Sequence, residues 1–280
     1  MLNLGTVQTL TILKRTDFGV YLYHPSGSKE ERVLLPKKEV PMDAEIGDDL
    51  PVFLYKDSDD RLIATMLEPK LTIGKTALLT VKEESKIGLF LDWGLVKDLL
   101  LPFKEQTYPA KKGDQVLVSL YIDKSNRLCA TMKVYPYLKK ESPYKKDDYV
   151  DGLAYEDSKQ FGTFIAVDHL YSALVPRQVQ ANPIKLGSYI HARVTAVRPD
   201  GKLTLTLQEK AYRQMDKDSE HILTLLENAG GFLPYHDKTD PEVIRRIFGL
   251  SKNAYKRAIG HLMKEKKILI EKNGIKKCSF

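Results

Sequence analysis

Up to Gln214 the apolar positions follow a period of two, most clearly in Val116-Leu117-Val118-Ser119-Leu120-Tyr121-Ile122 and in Ile190-His191-Ala192-Arg193-Val194-Thr195-Ala196-Val197. Both runs are rich in β-branched and aromatic residues and predict strands with one buried face. Three marks punctuate such runs in a fixed order. A glycine between apolar residues stands in Phe18-Gly19-Val20-Tyr21-Leu22, Ile87-Gly88-Leu89-Phe90-Leu91 and Phe161-Gly162-Thr163-Phe164-Ile165. An apolar pair then ends in Pro36, Pro102 or Pro176, and a second glycine, Gly47, Gly113 or Gly187, opens an alternating run. The first glycines step by 69 and 74 residues, and the prolines and second glycines by 66 and 74. Five short strands in each repeat of about 70 residues predict three consecutive small closed β-barrels, because closure removes exposed sheet edges. Asp57-Ser58-Asp59-Asp60, Asp123-Lys124-Ser125-Asn126 and Pro199-Asp200-Gly201 supply hairpin turns.

After Gln214 the period lengthens to about 3.6. Ile222, Leu225 and Leu226 share one helix face behind a cap at Asp218 or Ser219. Asp240-Pro241 opens a second helix that stops at Gly249, and Ser251 caps a third carrying Ala254, Ala258, Ile259 and Leu262. A strand at Ile268-Leu269-Ile270-Glu271, a tight turn at Asn273-Gly274 and a strand from Ile275 complete a winged helix. The expected fold is mainly β with a C-terminal α+β domain: barrels at 1–70, 71–140 and 147–213, and a winged helix at 216–280. The second inter-barrel linker, from Tyr137 to Asp148, is longer and more charged than Glu68-Pro69-Lys70, which predicts a looser second joint.

Composition adds limits. The 280 residues carry 44 Lys and Arg against 37 Asp and Glu, a net charge of +7. Divided by module, residues 1–71 sum to −3, 72–140 to +5, 141–214 to +1 and 215–280 to +4. The acidic first barrel is on this count the poorest phosphate binder. Cys129 and Cys278 are far apart with no zinc-like spacing, which suits a reducing cytoplasm and predicts no metal site. No stretch approaches the roughly 18 apolar residues of a spanning helix, so no membrane partner is expected.

The repeat resembles the S1-type RNA-binding domain, an OB-like barrel. Phe161-Gly162-Thr163-Phe164-Ile165 matches its aromatic-Gly-small-aromatic-aliphatic strand, Phe18 to Leu22 matches with tyrosine in the second aromatic place, and Ile87 to Leu91 lacks the first aromatic. Three such units followed by a winged helix resemble, over essentially the whole chain, the bacterial conserved virulence factor B family of RNA-binding regulators. The S1 pattern usually places a histidine where Pro36, Pro102 and Pro176 stand, which weakens the RNA contact expected there.

The resemblance implies single-stranded RNA held by stacked rings and by cations along the phosphates. It offers Phe18 with Tyr21, Phe161 with Phe164, and Phe90 alone as platforms. Rings three apart face opposite sides of an ideal strand, so either the glycine marks a bulge that unites them or one ring of each pair is core. Arg127 and Lys202, with Arg61, recur before the last strand as phosphate contacts, and His169, Tyr171 and Arg177 flank the third barrel's apolar pair. In the winged helix Lys252, Lys256 and Arg257 lie on the third helix with Tyr255, and Lys272, Lys276 and Lys277 decorate the wing.

Enzymatic readings are weak. Gly74-Lys75-Thr76 copies the end of a phosphate-binding loop, but Pro69 occupies its first glycine position, and the six histidines form no ligand or triad spacing. We therefore expect a non-enzymatic, cofactor-free cytoplasmic protein that binds single-stranded RNA through barrels two and three with the winged helix, and acts on gene expression after transcription. The alternatives are a DNA-binding transcription regulator led by the winged helix and an adaptor that contacts other RNA-handling proteins.

Overall fold

The computed structural model describes residues 2–208 and 211–278. The first barrel consists of β1 (Val7–Thr16), β2 (Gly19–Tyr23), β3 (Arg32–Pro36), β4 (Asp49–Lys56) and β5 (Leu62–Thr65), closed in the order β1-β2-β3-β5-β4. The second repeats it with β6 (Thr76–Glu84), β7 (Gly88–Asp92), β8 (Leu99–Pro102), β9 (Gln115–Ile122) and β10 (Leu128–Thr131). The third has β11 (Tyr149–Ser158), β12 (Gly162–Val167), β13 (Tyr171–Pro176), β14 (Tyr189–Val197) and β15 (Leu203–Thr206), and closes like the first.

The repeated marks have physical causes. A Cβ at Gly19 would lie 2.0 Å from the Leu35 carbonyl oxygen, and φ there is +146°. Gly88 and Gly162 meet Leu101 and Val175 in the same way. The glycine therefore lets β2 run close beneath the apolar pair before the proline, and the expected bulge is not on its strand. The bulge lies on the neighbouring strand instead, between Ile12 and Lys14, Val81 and Glu83, and Ala154 and Glu156. In the hairpin turns Asp60, Asn126 and Gly201 adopt positive φ, and the Asp57 and Asp123 carboxylates accept backbone N–H bonds two and four residues on.

One expected closure is incomplete. The second barrel is an open sheet in the order β10-β9-β6-β7-β8, with no ladder joining β8 to β10. Leu99, Leu100, Leu128 and Cys129, on the two sides of that seam, line a cavity of about 210 Å³ together with Phe90, Asp60 and Arg127. Burial and the nearby Asp123 carboxylate push the Cys129 thiol up to about 11.

Successive barrels are docked through their outer faces. Phe53 and Tyr55 of β4 share one apolar cluster with Leu71 and Trp93 of the second barrel, and the Phe53 and Trp93 rings meet edge to face at 5.7 Å. Leu117, Val134 and Leu138 pack with Leu153, Tyr155 and Ala166 of the third. The second linker is no loose tether. Lys139 forms a parallel bridge to Tyr171, donating to the Leu170 carbonyl at 2.7 Å and accepting from Ser172 N–H at 2.9 Å.

Residues 208–280 form a separate compact unit. It contains α1 (Ala211–Asn228), β16 (Phe232–Leu233), α2 (Pro241–Phe248), α3 (Lys252–Lys264), β17 (Ile268–Glu271) and β18 (Gly274–Lys277), with sheet order β16-β18-β17. Asp240 caps α2 through Glu242 N–H and Ser251 caps α3 through Ala254 N–H, as the sequence predicts. Two expectations change. Asp218 and Ser219 are buried within α1 rather than capping it; the preceding turns are polar, so no apolar stripe announces their helicity. The wing turns at Lys272-Asn273, because Gly274 already pairs with Glu271. A Cβ on Gly274 would lie 2.2 Å from the Leu233 carbonyl oxygen, so this glycine serves the third strand and not the turn.

Gly19→Ala is expected to cost on the order of 3 kcal/mol in denaturant unfolding, from backbone overlap plus an unfavourable φ. Gly47→Ala, at positive φ with nothing within 4 Å of its Cβ, is expected to cost only about 1 kcal/mol. Equal losses would show that the close approach of β2 to β3 is not what the repeat glycine serves.

Candidate nucleic-acid interface

Burial alternates along β2: Val20 and Leu22 point into the first barrel while Tyr21 and Tyr23 face outward and stay partly exposed. Phe18 is in the turn before β2, 79% exposed, and Phe161 occupies the equivalent place in the third barrel at 54%. Their carbonyls are tied by the N–H groups of Lys37 and Arg177, so both rings are presented from fixed turns. Phe18 and Tyr21 thus belong to different surfaces, an exposed turn and a sheet face.

The second ring position has diverged between barrels. Phe164 is half-buried, edge to face on Tyr135 at 5.4 Å and within 6.3 Å of Tyr155, in the joint between the second and third barrels. It is not brought together with Phe161, and its outward face is taken by packing. Phe90, half-buried, lines the seam cavity near Asp60 of the first barrel.

The cations expected to grip phosphate are largely paired within the protein. Arg127 forms an ion pair with Asp60 across the first joint, and Lys97 donates to the Asp57 carbonyl at 2.7 Å beside it. Lys202 donates to the Tyr135 hydroxyl at 2.8 Å, pairs with Asp200 at 3.0 Å and stands over the Tyr135 ring at 5.0 Å. The Tyr135 hydroxyl and the Asp200 carboxylate hold this ammonium above its usual range. Arg177 bonds Asp157 at 2.5 Å and the Ser158 carbonyl at 2.9 Å. His169 places Nε2 2.7 Å from the Tyr189 hydroxyl, and its carbonyl accepts from Thr76 Oγ1 at 2.8 Å. Arg127, Lys202 and His169 therefore help join barrels, a role that spacing along the chain does not reveal.

In the winged helix, Lys256, Arg257, Lys272 and Lys276 are exposed and Lys252 is half-buried, and none of them forms an ion pair among the described residues. Tyr255 does not join them: it is fully buried, packs on Phe248 at 4.7 Å and donates to the Tyr235 carbonyl at 3.1 Å. Among the described residues no group of three or more His, Cys, Asp or Glu is placed to hold a metal ion. No helix there is long and apolar enough to cross a membrane.

Residues 4–67 and 73–133 match the S1 domain, and 220–276 match the CvfB-like winged helix domain. A conserved virulence factor B of Staphylococcus epidermidis is 30% identical over 261 residues, 89% of this chain and 87% of that protein. The chain belongs to the conserved virulence factor B family. The Bacillus subtilis protein YitL is 32% identical over 277 residues, covering 95% of this chain and 91% of its own. Among solved structures, a multidomain protein with nucleic acid binding domains from Streptococcus pneumoniae is 26% identical, with a TM-score of 0.50 over 98% of both chains. The S1 and winged-helix domains of this family member are of nucleic-acid-binding kinds.

Because Phe164 packs between barrels and Phe161 does not, Phe164→Ala is expected to destabilise the protein by about 1–3 kcal/mol and Phe161→Ala by under about 0.5 kcal/mol. Urea titration of both variants checks this. Equal effects would remove Phe164 from the joint.

Proposed function

We propose that this member of the family is a non-enzymatic cytoplasmic protein that binds single-stranded RNA with its S1 barrels and winged helix, and so regulates gene expression after transcription. The observation that carries the reading is a tandem of barrels, the first two matching the S1 domain and the third repeating the strand order of the first, with exposed rings at the same turn of the first and third, Phe18 and Phe161. An aromatic face stacks on any unpaired base, whereas bases inside a duplex are already stacked. Lysines are point charges that follow phosphates, and those of the winged helix can extend the path without reading sequence. Occupancy of a transcript by such a surface is enough to hinder or assist its translation or decay, with no chemical step.

A second reading, duplex DNA binding, draws on α3, where Asn253, Lys256 and Arg257 are exposed on a helix of the kind that enters a major groove. Fluorescence anisotropy with one sequence as single-stranded RNA, single-stranded DNA and duplex DNA separates the two. The expected order is single-stranded RNA tightest and duplex weakest, with affinity falling as salt rises. Preference for duplex would transfer the function to the winged helix, and salt-insensitive or absent binding would leave a protein adaptor.

A further inference from the structure

In both closed barrels the third and fifth strands meet as a parallel ladder, at Leu34 with Ile63 in the first and at Ala173 with Leu203 and Leu174 with Thr204 in the third. The repeat step of 66 residues places Leu100 and Cys129 where Leu34 and Ile63 stand. These two do not pair; they line the cavity of about 210 Å³ from the two sides of the seam. In the second barrel a space replaces a ladder.

The first barrel supplies part of the wall of that space. Tyr55 and Lys56 at the end of β4 and Asp60 in the turn after it line the cavity together with Phe90, Trp93 and Leu128. On the equivalent strand of the first barrel Tyr21 and Tyr23 are partly exposed, with Lys14 and Arg32 beside the one and Lys29 beside the other. Phe90 instead shares its surroundings with a neighbouring barrel.

The wall is mostly apolar, with three rings among its residues. Trp93 is fixed on it, since its Nε1 donates to the Lys97 carbonyl at 2.6 Å and its ring meets Phe53 edge to face. Tyr55 is only 8% exposed, and its hydroxyl has no hydrogen-bond partner among the described residues. Burial, with Glu39 and Asp57 near it, holds this phenol above its usual range, so it remains a donor. The charges of the rim are largely matched within the protein. Asp60 takes Arg127 and, at 3.8 Å, Lys97, while Asp98 takes Lys82 at 2.8 Å. Of the charged residues lining the cavity, Lys56 alone forms no ion pair among the described residues.

We propose that the cavity between β8 and β10 is a binding site for an uncharged aromatic molecule of one or two fused rings, seated against Tyr55, Phe90 and Trp93 and offering a hydrogen-bond acceptor to the Tyr55 hydroxyl. An apolar cavity of about 150 Å³ is enough to hold benzene, and sites for drug-sized ligands begin near 300 Å³, so the space here takes a small ring system and not a nucleotide. Rings on the wall favour a ring as guest, through edge-to-face and offset contacts that an aliphatic molecule lacks. A charged guest would have to leave water for a rim whose ions already hold one another. Because the wall comes from two barrels, an occupant touches both. The site is independent of whether the barrels bind RNA.

Trp93 is the single tryptophan of the chain, so fluorotryptophan labelling of the full-length protein gives one fluorine NMR resonance on the cavity wall. Quinoline, uncharged at neutral pH and carrying a ring acceptor, is the probe. It is expected to shift that resonance with a dissociation constant on the order of 0.1–1 mM, as for a well-seated molecule of its size. Its carboxylate analogue quinaldate is expected to bind about tenfold more weakly. Leu100→Phe, which fills the space from one side of the seam, is expected to weaken quinoline by at least about tenfold with the urea midpoint unchanged. Tyr55→Phe is expected to weaken it about five- to tenfold, the loss of one hydrogen bond. Absence of a shift, or a parent affinity retained in both variants, would overturn the proposal. Quinaldate binding as tightly as quinoline would overturn the assignment to an uncharged guest.

Discussion

A barrel of some 70 residues encloses a small core, and such domains are marginal when isolated. In this protein the deficit is met outside the barrels, by burying the outer face of one against the next. Phe53, Tyr55 and Trp93 at the first joint, and Leu117, Leu138, Leu153 and Tyr155 at the second, are large apolar side chains on surfaces that a solitary barrel exposes to water. The candidate interface depends on this docking. Once a sheet face is spent on a neighbour it is withdrawn from solvent, and the residues that decorate its rim, Arg127 and Lys202 among them, acquire partners across the joint.

The architecture was legible because it is periodic. Glycine, proline and glycine return in register, and each return reflects a demand of the backbone that no other residue meets well: close approach of two strands, a strand that stops, a turn at positive φ. The caps Asp240 and Ser251 were legible for the same reason, since they answer to unsatisfied N–H groups a few residues away. What escaped was whatever depends on residues far apart in sequence. Alternation tells that Phe164 leaves the barrel core; it says nothing of whether water or Tyr135 awaits outside. Tyr255 failed in the opposite direction, for a tyrosine between lysines reads as surface until the helix is set against Phe248. Gly274 reads as a turn residue in the sequence because its demand comes from Leu233, about forty residues earlier, and not from its neighbours.

Charge shows the same division. Sums over modules are true of the sequence and are a poor guide to a surface, since an ion pair across a joint cancels acid of one module with base of another. The first barrel is acidic as a segment of chain and cationic on the face formed by β1, β2 and β3.

The bridge between Lys139 and Tyr171 changes how the chain can be taken apart. The charged stretch before β11 looks like the natural place to cut when barrels are to be prepared singly. A fragment beginning at residue 147 would lack Leu138 and Lys139, and with them the apolar lid over Leu153 and Tyr155 and the backbone partners of Leu170 and Ser172. Such a fragment would display a sticky flank and report the behaviour of a damaged barrel. The third barrel's own beginning, in the sense that matters to its folding, lies ahead of its first strand.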